Sequence, residues 1–448
     1  MGIRSGVVGW LARLRPAGEF AITSGTLGST AAQTVMVAVF PVLLAEYAPS
    51  AFMLGLVIGG EGALALVVPY WIGLLSDRLP ADLARRFGRR ALFLLTTAPL
   101  LAATVAVVPF VSGYWRLAAV AFVFFAALHA YLTPLWALMI DAVPATRWGR
   151  VQGVRGVFHS AGLAYGLVAG GLLFSLWPPL PYLLCAALVL STTASTLAAS
   201  RALAADHNAG EPEPAAESSR SPDIASFDPH GTRRRLSPDL RAAIPGRDAR
   251  GARGNGGSAP QWFLVGNALW TASVDGIRPY IFLYAIAVLG IGVSQMSLLL
   301  LLLVLGLAVG SAILGWLGDR IDRGRLLMIG AVVTGTAILP GVFVRDLWTA
   351  IPLLTVAGIG AAAIMTLPFP VYAGLVGERS MGRRTGMYVV SLGAGRMIAP
   401  MVIGAGIDRG AHWFPGEAGY PLIWPVAGVL MLAGAFALKQ ALAQAARG

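Results

Sequence analysis

Four charged residues fall deep inside apolar runs of this chain. Glu61 lies about ten residues into one run, Arg396 about eleven into another, and Asp275 about fourteen into a third, with Arg278 three residues later. A helix rises ~1.5 Å per residue, so in spanning helices all four would sit within about 10 Å of mid-height. An ionised side chain there costs roughly 2.5–3.5 kcal/mol on insertion scales; such groups face a bundle interior or a watery cavity and hold a partner. Carboxyl groups withdrawn from water can change protonation state within a working pH range. Glu61 is therefore the first candidate for binding a proton. Arg396 is a candidate for pairing with a carboxylate or an anionic solute.

Asp275 and Arg278 stand i, i+3 on one helix face and can pair locally. The segment Asp275-Gly276-Ile277-Arg278-Pro279 places a helix breaker on each side of Ile277. Pro279 cannot donate a hydrogen bond and crowds the carbonyl of residue 275. This spacing predicts a kink or short unwinding. Broken helices at mid-membrane recur at solute sites, although an ordinary proline kink with a structural ion pair has the same sequence. Gln33, His129, His159 and Asn267 add polar or titratable groups, and Arg155 lies nearer one end of its run. His129 either bonds solute hydroxyls or relays protons, or only bonds a backbone carbonyl. His159 follows Arg155 by four residues, on the same face. Trp136 and Trp270 either stack on a sugar ring or serve as packing and interface anchors. Gly156, Gly162, Gly166, Gly170 and Gly171 read as a face for close helix packing.

None of these groups forms an enzyme constellation. The chain has no P-loop, no GxSxG and no HExxH. Its five histidines and single Cys185 are too scattered for a metal, haem or iron–sulfur site. No metal, cofactor, nucleotide or catalytic activity is expected.

The elements that must hold these groups follow from composition. The 448 residues are 57% hydrophobic and 12% charged, with a mean hydropathy of +0.73, whereas a soluble domain carries about 25% charged residues. A water-soluble enzyme, a disordered chain and a disulfide scaffold are excluded, and a polytopic helical membrane protein fits. Twelve spanning helices are predicted. They cover roughly 19–45, 51–75, 91–112, 117–141, 151–176 and 180–200, then 261–289, 293–317, 326–344, 348–376, 385–407 and 420–440. The first follows Arg4, Arg13 and Arg15 and is long enough to span, so it reads as a span rather than a cleaved leader.

With the N-terminal tail inside, 27 basic residues flank inner ends, against only Arg116, Arg345 and Arg409 at outer ends. The net charge of +12 therefore reads as the positive-inside rule rather than nucleic-acid binding. The expected setting is the inner or plasma membrane, multi-pass, with the bilayer as partner and both termini cytoplasmic. Residues 201–260 carry 17 charges and many Pro, Gly and Ser. They read as a disordered cytoplasmic linker between two six-helix halves, 1–200 and 261–448.

The halves echo each other at their inner turns. Gly73, Leu75, Asp77 and Arg78 after span 2 match Gly315, Leu317, Asp319 and Arg320 after span 8, both as G-x-L-x-D-R. Gly149-Arg150 with Gly153 matches Gly382-Arg383 with Gly386 further on, near G-R-x-x-G in both. Matched motifs at matched places argue for duplicated halves.

With Gly88, Arg89 and Arg90 completing the first turn, the chain resembles the major facilitator superfamily over both halves but not the linker. Nine residues, 79–87, separate Arg78 from Gly88, more than is usual there. The run Ser76-Asp77-Arg78 with Arg86-Phe87-Gly88-Arg89-Arg90 resembles its sucrose/proton symporter branch, although Ala91-Leu92-Phe93 follows in place of that branch's Arg and Pro-Phe. The resemblance implies an all-α fold of twelve helices in two pseudo-symmetric halves. It implies that the turn motifs latch the cytoplasmic side in one conformation, where their arginines otherwise only set topology. It also implies that spans 2 and 11 adjoin. Glu61 and Arg396 would then form either a pair that a proton or solute breaks, or a permanent bridge.

The expected function is secondary transport by alternating access, driven by the proton gradient, with a small-molecule substrate and protons as partners. Proton symport of a sugar or similar polar solute comes first. The alternatives are an exporter of drugs or metabolites, and a non-transporting scaffold, assembly factor or sensor on the same fold.

Overall fold

A computed structural model describes residues 18, 20–77, 90–143, 148–210, 258–317, 321–376 and 381–446. Among them every regular element is helical. The first half comprises α1 (Phe20–Ala45), α2 (Ala51–Asp77), α3 (Ala91–Phe110), α4 (Tyr114–Ala142), α5 (148–176) and α6 (Leu180–Gly210). The second comprises α7 (259–287), α8 (Val293–Leu317), α9 (Arg323–Phe343), α10 (Leu347–Val376), α11 (Met381–Gly410) and α12 (Tyr420–Ala445). Eleven of these are long and apolar enough to cross a membrane. The twelfth, α7, is interrupted at Arg278–Tyr280 by a 3-10 turn, where the Gly-Ile-Arg-Pro segment predicts a break. The protein is thus an all-α membrane protein of twelve helices in two halves.

Local chemistry sets several ends. Asp322 accepts from Arg325 N at the start of α9, and Asp346 from Thr349 N at the start of α10, as N-caps do. Two π-helical turns interrupt α1 at Val35–Val39 and α5 at Tyr165–Ala169. They lie against each other, and such bulges cluster at functional sites. The expected linker differs at its edges: residues 201–210 continue α6, and 211–257 lie outside the described residues.

Small residues let the halves approach. On α2, Gly55 lies against the Pro400 carbonyl of α11, and Gly59 and Gly62 lie against the Met397 backbone. Gly404 of α11 lies against the Ala51 carbonyl. Because α2 and α11 run antiparallel, this seam draws them together along much of their length. Further contacts between halves join residues 165–176 of α5 to α8, and 35–45 of α1 to 278–287 of α7. These further contacts lie from mid-height toward the end opposite the chain termini. Toward the terminal end, Val157, His159 and Ser160 of α5 are exposed. Of the span-5 glycines, Gly162 packs on Leu27 and Thr30, Gly166 on Thr34 and Gly171 on Ser297, whereas Gly156 faces open space.

Candidate functional site

The helix periodicities bring five of the mid-height residues into one chain. Gln33 on α1 donates its amide to Glu61 Oε1 on α2. Glu61 Oε1 stands 4.0 Å from an Arg396 guanidinium nitrogen on α11. Arg396 Nε donates to Asp275 Oδ2 on α7 at 2.9 Å. Asp275 Oδ1 in turn takes Arg278 Nη1 at 2.8 Å. The chain runs Gln33–Glu61–Arg396–Asp275–Arg278 and crosses between halves at its longest link. The Glu61 side chain is 7% exposed and Asp275 13%, against 24% for Arg278 and 34% for Arg396, so the two arginines are the more exposed members. With both carboxylates ionised, two negative charges balance two guanidiniums.

The pairing differs from the expectation in one respect. Glu61 and Arg396 do approach, but the closer partner of Arg396 is Asp275, within its own half. Sequence spacing shows the Asp275–Arg278 pair because both lie on one helix. It carries no signal for a bond between α7 and α11.

Other expected residues surround this chain or fall away from it. His129 of α4 is buried, its ring lies by the Glu61 main chain, and its Nε2 has no hydrogen-bond partner. His159 Nδ1 shares a hydrogen bond with Thr30 Oγ1 at 3.1 Å. The residue is exposed although it bonds across to α1. Arg155 lies over the half-exposed Trp136 ring, 5.8 Å from its centroid, so that indole takes a cation. Asn267 does not join the site. It is fully buried, donates to Ser391 Oγ at 2.8 Å and accepts from Trp270 Nε1 at 3.0 Å. That arrangement locks α7 to α11 and leaves Trp270 as packing.

The turn motifs lie mostly beyond view. Arg78, Gly88, Arg89, Asp319 and Arg320 fall outside the described residues. Gly73 and Asp77 lie in the final turns of α2, Gly315 in that of α8, and Arg90 immediately precedes α3. Gly73 has open space around it.

Two residues missed by the sequence reading close the opposite end. Asp408, near the end of α11, accepts from Ala51 N at 2.8 Å and Phe52 N at 2.9 Å. These are unpaired N–H groups of the first turn of α2, whose helix dipole also favours the anion. Tyr280 OH lies 2.9 Å from Ala51 O and 2.7 Å from Pro400 O. A cap supplied from 357 residues away has no local spacing to betray it.

A family model described as Major Facilitator Superfamily matches residues 22–292 and 262–443. No curated protein matches. Among solved structures, a bacterial homologue of the human lysosomal transporter Spinster, inward-facing and unoccupied, aligns with TM-score 0.61 at 16% identity. The alignment covers 96% of this chain and 94% of that one. The nucleoside transporter NupG aligns with TM-score 0.64 at 12% identity, covering 95% and 99%. A structure from work on proton-dependent oligopeptide transporters aligns with TM-score 0.66 at 10% identity, covering 97% and 100%. At such identities the likeness is one of fold.

Proposed function

The chain belongs to the major facilitator superfamily, and from that premise we propose that it is a proton-coupled secondary transporter working by alternating access. The observation that carries this reading is the polar chain that crosses between the halves at Glu61 and Arg396. Adding a proton to Glu61 removes one of the two charges at that crossing. Arg396 then remains with Asp275 in the second half, and the halves lose their mid-height electrostatic link. A unit-charge pair at 4 Å is worth about 1 kcal/mol in water and about 4 kcal/mol at an effective dielectric of 20. The exposure of Arg396 places this link toward the lower figure. Even that biases a two-state equilibrium several-fold. The same proton leaves the chain with a net positive charge, which an anionic solute group would neutralise. Proton and solute then bind together, as symport needs.

We place both termini on the cytoplasmic side of the inner or plasma membrane, because basic residues concentrate at the ends of the helices on that side. The energy source is the proton gradient, with no cofactor. A sugar is the solute class favoured by the branch resemblance. It needs several free hydrogen-bonding groups, and two of the expected ones are already engaged. Asn267 is fully buried and bonded to Trp270 and Ser391, and Gln33 is committed to Glu61. An apolar cavity beside Arg278 favours the second class, an amphipathic compound.

The test is uptake into proteoliposomes under an imposed proton gradient. A labelled panel of mono- and disaccharides is run beside amphipathic acids and amines, for wild type and Glu61→Gln. Gradient-driven accumulation of one class, reduced to exchange in Glu61→Gln, supports the reading. Equal accumulation by both proteins removes Glu61 from coupling, and no transport of any class by folded protein removes the transport assignment.

A further inference from the structure

Beside the polar chain, a partly open cavity of about 110 Å³ lies between α7, α8, α9, α10 and α12 of the second half, with α5 of the first half at one side. Its walls are hydrocarbon: Leu303 and Leu307 of α8, Leu354, Ala357 and Ala361 of α10, and the Trp424 indole of α12. An apolar lining of this kind favours an apolar guest.

Two features stop it from being a packing defect alone. Arg278 is the one charged side chain among the lining residues, and its guanidinium, paired with Asp275 through a single nitrogen, keeps further donors. Ser273, also on the lining, is fully buried, and its hydroxyl has no hydrogen-bond partner. A buried orphan hydroxyl costs stability unless something binds it. Ser273, Ile277, Arg278 and Ile281 share one face of α7, which gives the cavity about 12 Å along that helix. That length suits an extended alkyl chain or a fused aromatic system.

We infer that this cavity seats the apolar part of an amphipathic monoanion, whose head group meets Arg278 and whose polar edge meets the Ser273 hydroxyl. A polyhydroxylated sugar would leave its hydroxyls unpaired against the leucines. An amine head would meet Arg278 with like charge. The inference rests on the transport reading only in treating the ligand as the carried solute; the binding site itself stands on the cavity. An anionic membrane lipid and a free organic acid share this chemistry, and the experiment separates them.

The probe is a ten-carbon carboxylic acid bearing a terminal diazirine, photolysed with the full-length protein in nanodiscs of zwitterionic lipid. Labelled peptides are mapped by mass spectrometry. The expected adducts lie on the cavity faces of α7, α8 and α10, and water-soluble octanoate displaces them. Ala361→Phe, which fills the cavity, lowers labelling by about tenfold or more. Ser273→Ala, which keeps its volume, lowers it about fivefold. The amine-headed analogue labels more weakly than the acid. Adducts confined to outward-facing residues such as Leu298 and Leu305, unchanged in both variants, would overturn the inference. So would equal labelling by amine and acid, or displacement by added anionic lipid but not by octanoate. Labelling is read at equilibrium without a gradient. Labelling intact with coupling unaffected by Glu61→Gln therefore faults the coupling mechanism, whereas coupled transport without cavity labelling faults the cavity.

Discussion

Arg396 bonds Asp275 at 2.9 Å within the second half and reaches Glu61 of the first half at only 4.0 Å. One guanidinium is thus anchored firmly to its own half and loosely to the other. A link of this kind can be released without dismantling either bundle, which a rocking mechanism requires.

The Asp275–Arg396 pair should matter for stability as well as transport. Removing one partner of a buried pair leaves an uncompensated charge at a cost of about 3–5 kcal/mol. Asp275→Asn, which leaves both Arg278 and Arg396 without their carboxylate, is expected to lower the melting temperature in detergent, with Arg396→Gln doing less because Asp275 keeps Arg278 at 2.8 Å. The double variant should recover part of the loss. Strict additivity in that double-mutant cycle would show that the two side chains do not interact energetically.

The α2–α11 seam should tolerate no added side chain. A Cβ at Gly62 would meet the Gly393 carbonyl at 2.7 Å and Met397 Cα at 2.8 Å. Gly62→Ala should cost about 1–3 kcal/mol through overpacking and slow transport. Gly156 of α5, with open space around it, is the control. There Ala should be neutral or stabilise by about 0.5–1 kcal/mol through helix propensity. Thermal unfolding of the two variants checks the contrast.

Asp408 should hold the opposite end shut. Asp408→Ala strips two hydrogen bonds from the start of α2, a loss of about 1–2 kcal/mol by analogy with N-caps. That shifts a two-state equilibrium roughly five- to thirtyfold. Spin labels at the exposed Tyr47 and Trp413, one on each half at that end, should report a larger population of longer distances. Cys185 is buried and will not compete for the label. An unchanged distance distribution would make Asp408 a local cap with no part in gating.

Much of the architecture was legible in the order of the residues. Spans, halves and the α7 break follow from apolar run length, the repeat at the inner turns, and Pro279. The members of the polar chain were also legible, because a charge at mid-membrane declares itself. Its wiring was not. Which carboxylate Arg396 chooses depends on how α7 and α11 rotate against each other, where the buried Trp270–Asn267–Ser391 bonds and the close approaches at Gly276 and Gly395 hold the two helices together. Asp408 and Ser273 were missed for the same reason. One caps a helix distant in sequence, and the other is an ordinary small residue until the fold leaves its hydroxyl alone in an apolar wall.

The central claim is that the charge on Glu61 controls the link between the halves. The most direct measurement uses the Tyr47 and Trp413 spin labels at neutral and at acid pH, with His129 and His159 left intact, in wild type and Glu61→Gln. The account predicts that wild type moves toward longer distances at acid pH. Glu61→Gln, unable to carry the charge, should show the acid-form distribution at both. A Glu61→Gln protein that shifts with pH as wild type does would contradict it and leave Glu61 as a structural partner of Gln33.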